Sequence, residues 1–196
     1  IKVFWGILFS TALGFSSGML IMVVIYWFFG RRPPGLVRKL FGRLQIVSAG
    51  LMAFSHGSND GQKFIGVFTL ALVLGGILPE FQVPFWVILL CAVTMGVGTA
   101  IGGWRIIRTM GLRMTKLEPV HGFAAETGAG LTILLASHFG IPLSTTHTIN
   151  TAIIGVGSTR RLSAVRWGVV RTIATAWVLT FPICGAISYL VASALR

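Results

Sequence analysis

Charge is the scarcest property of this chain. Of its 196 residues only 10% are Asp, Glu, Lys or Arg, against 55% hydrophobic, and four of the charged residues are acidic. With a mean hydropathy of +0.87, that balance excludes an ordinary soluble domain and points to an integral membrane protein. Cysteine is also scarce: Cys91 and Cys184 stand apart in apolar segments, lack metal-ligand spacing and read as small packed hydrophobes. The four histidines show no metal spacing. Ser144 or Ser58 with a histidine could be drawn as a hydrolase pair, but neither sits in a G-x-S-x-G context, so an enzyme is not expected. No soluble domain, low-complexity tract or long linker interrupts the sequence, and residues 1–196 are expected to form a single transmembrane domain. The chain opens on Ile1-Lys2 and enters an apolar run with no cleavage site, so no signal peptide is expected. Its first residue is not methionine, and we expect part of a longer polypeptide.

What charge there is has one sign and a pattern. The net charge is +12, but the basic residues fall in the short gaps between apolar runs. That is the positive-inside arrangement of membrane proteins and not a nucleic-acid-binding surface. Val3 to Phe29 is one uncharged run long enough to span, with Trp5 and Trp27 about 33 Å apart at helical rise. Gly14 and Gly18 offer it a small-xxx-small face for a close neighbour. Arg31-Arg32-Pro33-Pro34 ends this run, and the segment at about 31–45, carrying Arg38, Lys39 and Arg43, reads as an amphipathic basic helix lying on the membrane surface. Pro84 to Trp104 is a second span, the basic stretch at about 105–116 is surface-lying, and Thr172 to Ala194 is the last span. Leu117 to Phe139, the break Gly140-Ile141-Pro142 and the 15-residue run Leu143 to Gly157 read as a helical hairpin that turns inside the protein. Arg160, Arg161, Arg166 and Arg171 form a third basic cluster before the last span; if all three are cytoplasmic, both chain ends lie outside and this hairpin returns to the side where it started.

Against that apolar background two polar clusters stand out. Ser55-His56-Gly57-Ser58-Asn59-Asp60-Gly61-Gln62-Lys63 lies inside the segment running from Ile46 to Ile77. An aspartate or lysine near the bilayer centre costs about 2.5–3.5 kcal/mol on insertion scales, so ionisable residues there usually line a path or a site. Gly57 and Gly61 make an unbroken helix unexpected, and the reading is a helix broken or re-entrant at Gly57 to Gly61. Ser58 and Asn59 then suit an N-cap, with Asp60 in the first turn.

The second cluster, Ser144-Thr145-Thr146-His147, follows Pro142 and suits the start of another helix. Free N–H groups and the positive end of the dipole make such a start an anion site, unless the hydroxyls bond back to their own helix. Together the clusters suit a tetrahedral oxyanion. Asp60 beside an anion needs a cation or a proton between them, or else is an ion pair with Lys63 three residues on. Glu126, among Ala124, Ala125, Thr127 and Gly128, is a second candidate for a cation or proton, or a polar contact to a neighbouring helix. His56 shares a helical face with Asp60, and His147 follows the threonine pair; either donates to the anion or packs neutral against a carbonyl.

Phe54-Ser55-His56-Gly57-Ser58-Asn59-Asp60 resembles the "HGANDxxNA" signature of the PiT inorganic phosphate transporter family. Gly122-Phe123-Ala124-Ala125-Glu126, followed by Gly140 to His147, is similar to its second signature, and Ile154-Gly155-Val156-Gly157 agrees with it. The resemblance implies an all-α transmembrane helix bundle with broken or re-entrant helices, one half of an inverted-repeat transporter. It implies symport of phosphate with sodium ions or protons, with no other cofactor. The family's phosphate and cation positions fall on Asn59, Asp60, Ser144, Thr145 and Thr146, with Glu126 and His56 supporting. Family members carry two copies of the motif pair and this chain has one, resembling the C-terminal repeat, so an N-terminal repeat is an expected partner. The family's second asparagine is replaced: Gly61-Gln62-Lys63 follows the aspartate, where Gln62 is expected to supply an amide to the phosphate and Lys63 adds a positive charge. Ser58, Lys63 and His147 complete the supporting set, and Asp60 is the expected sodium ligand. A plasma-membrane location and a homo-oligomer are further expectations. Carriage of another oxyanion such as sulfate, an anion channel and a phosphate sensor remain alternatives.

Overall fold

The computed structural model describes residues 2–108, 115 and 117–194. Helices α1 (Lys2–Phe29), α2 (Pro34–Leu74), α3 (Phe85–Arg108), α4 (Pro119–His138), α5 (Thr145–Ser158) and α6 (Trp167–Ala194) carry the fold, with a 3-10 turn at Leu162–Ala164. Stretches of three of them are long and apolar enough to cross a membrane: Trp5–Phe29, Phe85–Trp104 and Trp167–Ala194. α6 thus begins five residues before the expected span. Most of the basic segment at 105–116 lies outside the described residues.

α2 departs from the sequence reading in two ways. It runs unbroken through Gly57 and Gly61, and it includes the basic residues Arg38, Lys39 and Arg43 as its N-terminal part instead of a separate surface-lying helix. Two interior glycines cost about 2 kcal/mol together relative to alanine. A break within the membrane would free backbone groups at several kcal/mol each, so the continuous helix is favoured. At its basic end Phe41 is buried and meets Phe29 and Phe123 edge-on, with ring centroids 5.3 Å apart in both pairs. Those contacts hold the basic turns in line with the rest of α2.

The hairpin is built from strong local signals. Pro119 occupies the first turn of α4, and the Glu118 N–H donates to His121 Nδ1 at 3.1 Å, one half of a capping box. α4 ends at His138, and two residues on Gly140 has a φ of +65°, the left-handed conformation glycine adopts readily. Ile141 N–H reaches back to Ala136 O at 2.9 Å and Gly140 N–H to Ser137 O at 3.1 Å, a Schellman motif. Pro142 follows, and α5 starts at Thr145 with Ser144 as N-cap.

α1 packs on α5 and α4, α2 on α4, and α3 chiefly on α2. The expected glycine face of α1 is what allows the first of these contacts. A Cβ on Gly18 would lie 2.5 Å from Ala152 O, and one on Gly128 would lie 2.9 Å from Gly18 N. The core this creates contains Met22, Ile25, Phe41, Ala124, Ala125, Ala129, Ile153 and Val156. A cleft of about 310 Å³ at one end is lined by Tyr26, Arg38, Glu118, His121 and Arg160. The hairpin therefore returns to the end where it began, and the first and third basic clusters share that end.

Candidate functional site

At 100° per residue, an intact α2 puts His56, Asn59, Asp60 and Lys63 on one face and Ser58 and Gln62 on the other. The first set converges. Asp60 Oδ1 accepts from Lys63 Nζ at 2.9 Å and from Asn59 Nδ2 at 3.2 Å. Its Oδ2 accepts from Thr145 Oγ1 at 2.9 Å and lies 2.9 Å from His56 Nε2. The Lys63 ion pair is thus present, as part of a four-donor shell around the carboxylate.

The same face clamps the hairpin. Asn59 Nδ2 and Lys63 Nζ both donate to the main-chain oxygen of Leu143, at 3.3 and 3.0 Å. Ser137 Oγ, on α4, donates to Asn59 Oδ1 at 3.3 Å. Asn59 therefore touches both the end of α4 and the loop before α5, although those residues are about 80 positions away in sequence.

On the hairpin side, Ser144 Oγ accepts from the His147 N–H at 3.4 Å and lies 2.6 Å from His147 Nδ1. The Ser144 N–H donates to Ser10 Oγ of α1 at 2.8 Å. As the first positions of α5, Thr145 and Thr146 have no helical acceptor for their N–H groups. Thr146 is exposed, and among the described residues its hydroxyl has no partner. The back-bonding alternative applies one turn later: Thr148 Oγ1 donates to Ser144 O at 2.9 Å and Thr151 Oγ1 to His147 O at 2.8 Å. The first three hydroxyls of the cluster are not used that way.

Three expected site residues stand elsewhere. Gln62 is exposed and, with Ser58, lines a groove of about 640 Å³ between α2 and α3, away from Thr145. Because α2 does not break, these two cannot turn toward the hairpin. Glu126 accepts a 2.6 Å hydrogen bond from Ser48 Oγ, and Ser48 precedes Asp60 by about 18 Å along the helix. The two acids are thus in separate environments. Sequence reasoning missed Ser10, Ser137, the Leu143 carbonyl and Trp177, whose indole stacks on the His147 ring with centroids 3.8 Å apart. A carbonyl has no sequence signature, and a tryptophan in an apolar helix reads as lipid-facing. Among the described residues no group of three or more His, Cys, Asp or Glu is placed to hold a metal ion.

Residues 31–188, which contain both clusters, match the phosphate transporter family. The chain belongs to this family. It is 47% identical over 191 residues to a probable low-affinity inorganic phosphate transporter of Rhizobium meliloti, covering 97% of this chain and 57% of that protein. A probable low-affinity inorganic phosphate transporter of Bacillus subtilis is 36% identical over 195 residues, with 97% and 59% covered. A solved structure described as the sodium-dependent phosphate transporter aligns with a TM-score of 0.66 at 24% identity, over 92% of this chain and 54% of that one. That likeness is one of fold. The chain spans somewhat more than half the length of these relatives. Family and helices together make this an all-α integral membrane protein.

Proposed function

We propose that this chain is the C-terminal repeat of an inverted-repeat carrier that moves inorganic phosphate with sodium ions or protons by alternating access. The observation that carries this reading is the 2.9 Å hydrogen bond from Thr145 to Asp60, which joins the two polar clusters into one site. The names of the relatives supply phosphate as the substrate to test. The name of the structural neighbour adds sodium, beside protons, as the coupling ion to test.

In this reading the anion meets the free N–H groups of Thr145 and Thr146, the Thr146 hydroxyl, the Ser144 hydroxyl and the Lys63 ammonium. A helix N-terminus with added hydroxyl donors suits an oxyanion. The Asn59 amide and Thr145 hydroxyl, engaged within the protein, exchange their internal acceptors for phosphate oxygens on binding. Asp60 anchors the positive charge that offsets the anion, and Glu126 is a second cation position. The N-terminal repeat completes the site. The basic end faces the cytoplasm of a plasma membrane, which puts both chain ends outside. The exposed apolar residues of α3 and α6 meet lipid, the other repeat or, in a homo-oligomer, a second copy.

The test is uptake of labelled phosphate by the complete transporter in proteoliposomes. Uptake should require an imposed sodium or proton gradient. Flux independent of any gradient contradicts a carrier, and equal competition by sulfate contradicts phosphate selectivity.

A further inference from the structure

The ammonium of Lys63 is held as a small cation would be. It lies 2.9 Å from a carboxylate oxygen of Asp60 and 3.0 Å from the main-chain oxygen of Leu143. A carboxylate and a carbonyl are the oxygen ligands that hard metal cations take. The group is tethered through α2, three residues from the acid it neutralises, and it bridges α2 to the loop that starts α5. We propose that the Lys63 ammonium is a built-in cation that fills the cation position of this repeat, so that phosphate binding here needs no sodium ion at Asp60.

The charge balance makes this specific. An anion approaching Thr145 and Thr146 meets Asp60, and two like charges at such separation oppose each other. With Lys63 in place the pair is neutral and the ammonium remains partly exposed, 47% by side-chain area, so it can also donate to the anion. A sodium ion entering beside Asp60 Oδ1 would have to displace the ammonium from both oxygens. The simpler alternative is that Lys63 is only a clamp on the hairpin. Glutamine separates the two roles, because its amide still donates to Asp60 and Leu143 O but carries no charge.

The inference rests on the proposed transport activity, and the experiment keeps the two apart. Phosphate uptake by the complete transporter in proteoliposomes is measured across a range of sodium concentrations, with a proton gradient imposed throughout. For wild type, sodium should change the half-saturating phosphate concentration by less than about twofold, within what a single weak contact accounts for. Lys63→Gln should bind phosphate at least about tenfold more weakly without sodium and regain most of that affinity when sodium is added. Lys63→Arg, which keeps the charge, should remain indifferent to sodium. Lys63→Ala serves as a second neutral variant and should also be rescued by sodium, should Lys63→Gln fail to assemble. A sodium response that is the same in wild type and the neutral variants overturns the inference, as does a neutral variant that folds but stays inactive at every sodium concentration. Wild type with no gradient-driven phosphate uptake at all is a failure of the transport reading and not of the lysine's role.

Discussion

Thr145 donates a 2.9 Å hydrogen bond to Asp60 across 85 positions of sequence, and each residue is the charged or hydroxyl centre of its own polar cluster. A hydrogen bond to a charged group contributes about 1.5–3 kcal/mol. Thr145→Val removes the hydroxyl at nearly constant volume, and it should weaken phosphate uptake by the complete transporter about tenfold or more. Asp60→Asn should abolish coupled uptake. Adding Thr145→Val to the already inactive Asp60→Asn should cause no further loss of phosphate binding, measured by equilibrium binding of labelled phosphate. Additive losses would mean that the two residues act independently.

Gln62 and Ser58 lie on the far side of α2 from Thr145. Gln62→Ala and Ser58→Ala should therefore leave the half-saturating phosphate concentration within about twofold of wild type, a change of less than 0.5 kcal/mol. A tenfold loss for Gln62→Ala would place its amide at the anion after all. That outcome would require α2 to break between Gly57 and Gly61 during transport.

Glu126 is bonded to Ser48 and sits away from the Asp60 cluster. Glu126→Gln keeps the shape and removes the charge. It should raise the half-saturating concentration of the coupling cation about fivefold or more, while phosphate affinity measured at saturating cation shifts less than about twofold. Equal changes in both would assign Glu126 to the anion site.

Close backbone approach between α1 and α5 depends on Gly18, where an added Cβ would come within 2.5 Å of Ala152 O. Overpacking of this kind costs about 1–3 kcal/mol. Gly18→Ala should lower the thermal midpoint of the detergent-solubilised transporter by several degrees, read by fluorescence-detected size exclusion. Gly42 makes the control, since a Cβ there meets nothing within 4 Å. Gly42→Ala in the interior of α2 should be neutral or stabilising by about 0.5–1 kcal/mol.

The hairpin was legible in the sequence because its signals are local and strong. Gly140 supplies a left-handed turn, Pro142 cannot extend a helix, and Ser144 caps the next one. The membrane class and the glycine face of α1 followed from composition and spacing in the same way. α2 was misread because glycine propensity is a weak prior that tertiary contacts override. Its polar run is satisfied by His56, Lys63 and Thr145 within the protein, so no break is needed to expose it. An unbroken α2 also sets Gln62 and Ser58 on the face turned away from Thr145. The separation of Glu126 from Asp60 depends on the register between α2 and α4, which no single-chain pattern encodes. The stack of Trp177 on His147 depends likewise on how α6 docks.

Thr146 is the residue through which to test whether Asp60 and the start of α5 form one phosphate site. It is exposed at the first turn of α5, and its hydroxyl has no partner among the described residues. Thr146→Cys should be introduced into the complete transporter in a background without other reactive cysteines, and its modification by a small thiosulfonate followed with and without phosphate. Saturating phosphate should slow the reaction at least about tenfold, the protection expected of a group shielded by bound ligand at ten times its dissociation constant. The same protection should be lost in Asp60→Asn. A modification rate unchanged by phosphate would place the anion elsewhere and contradict the account.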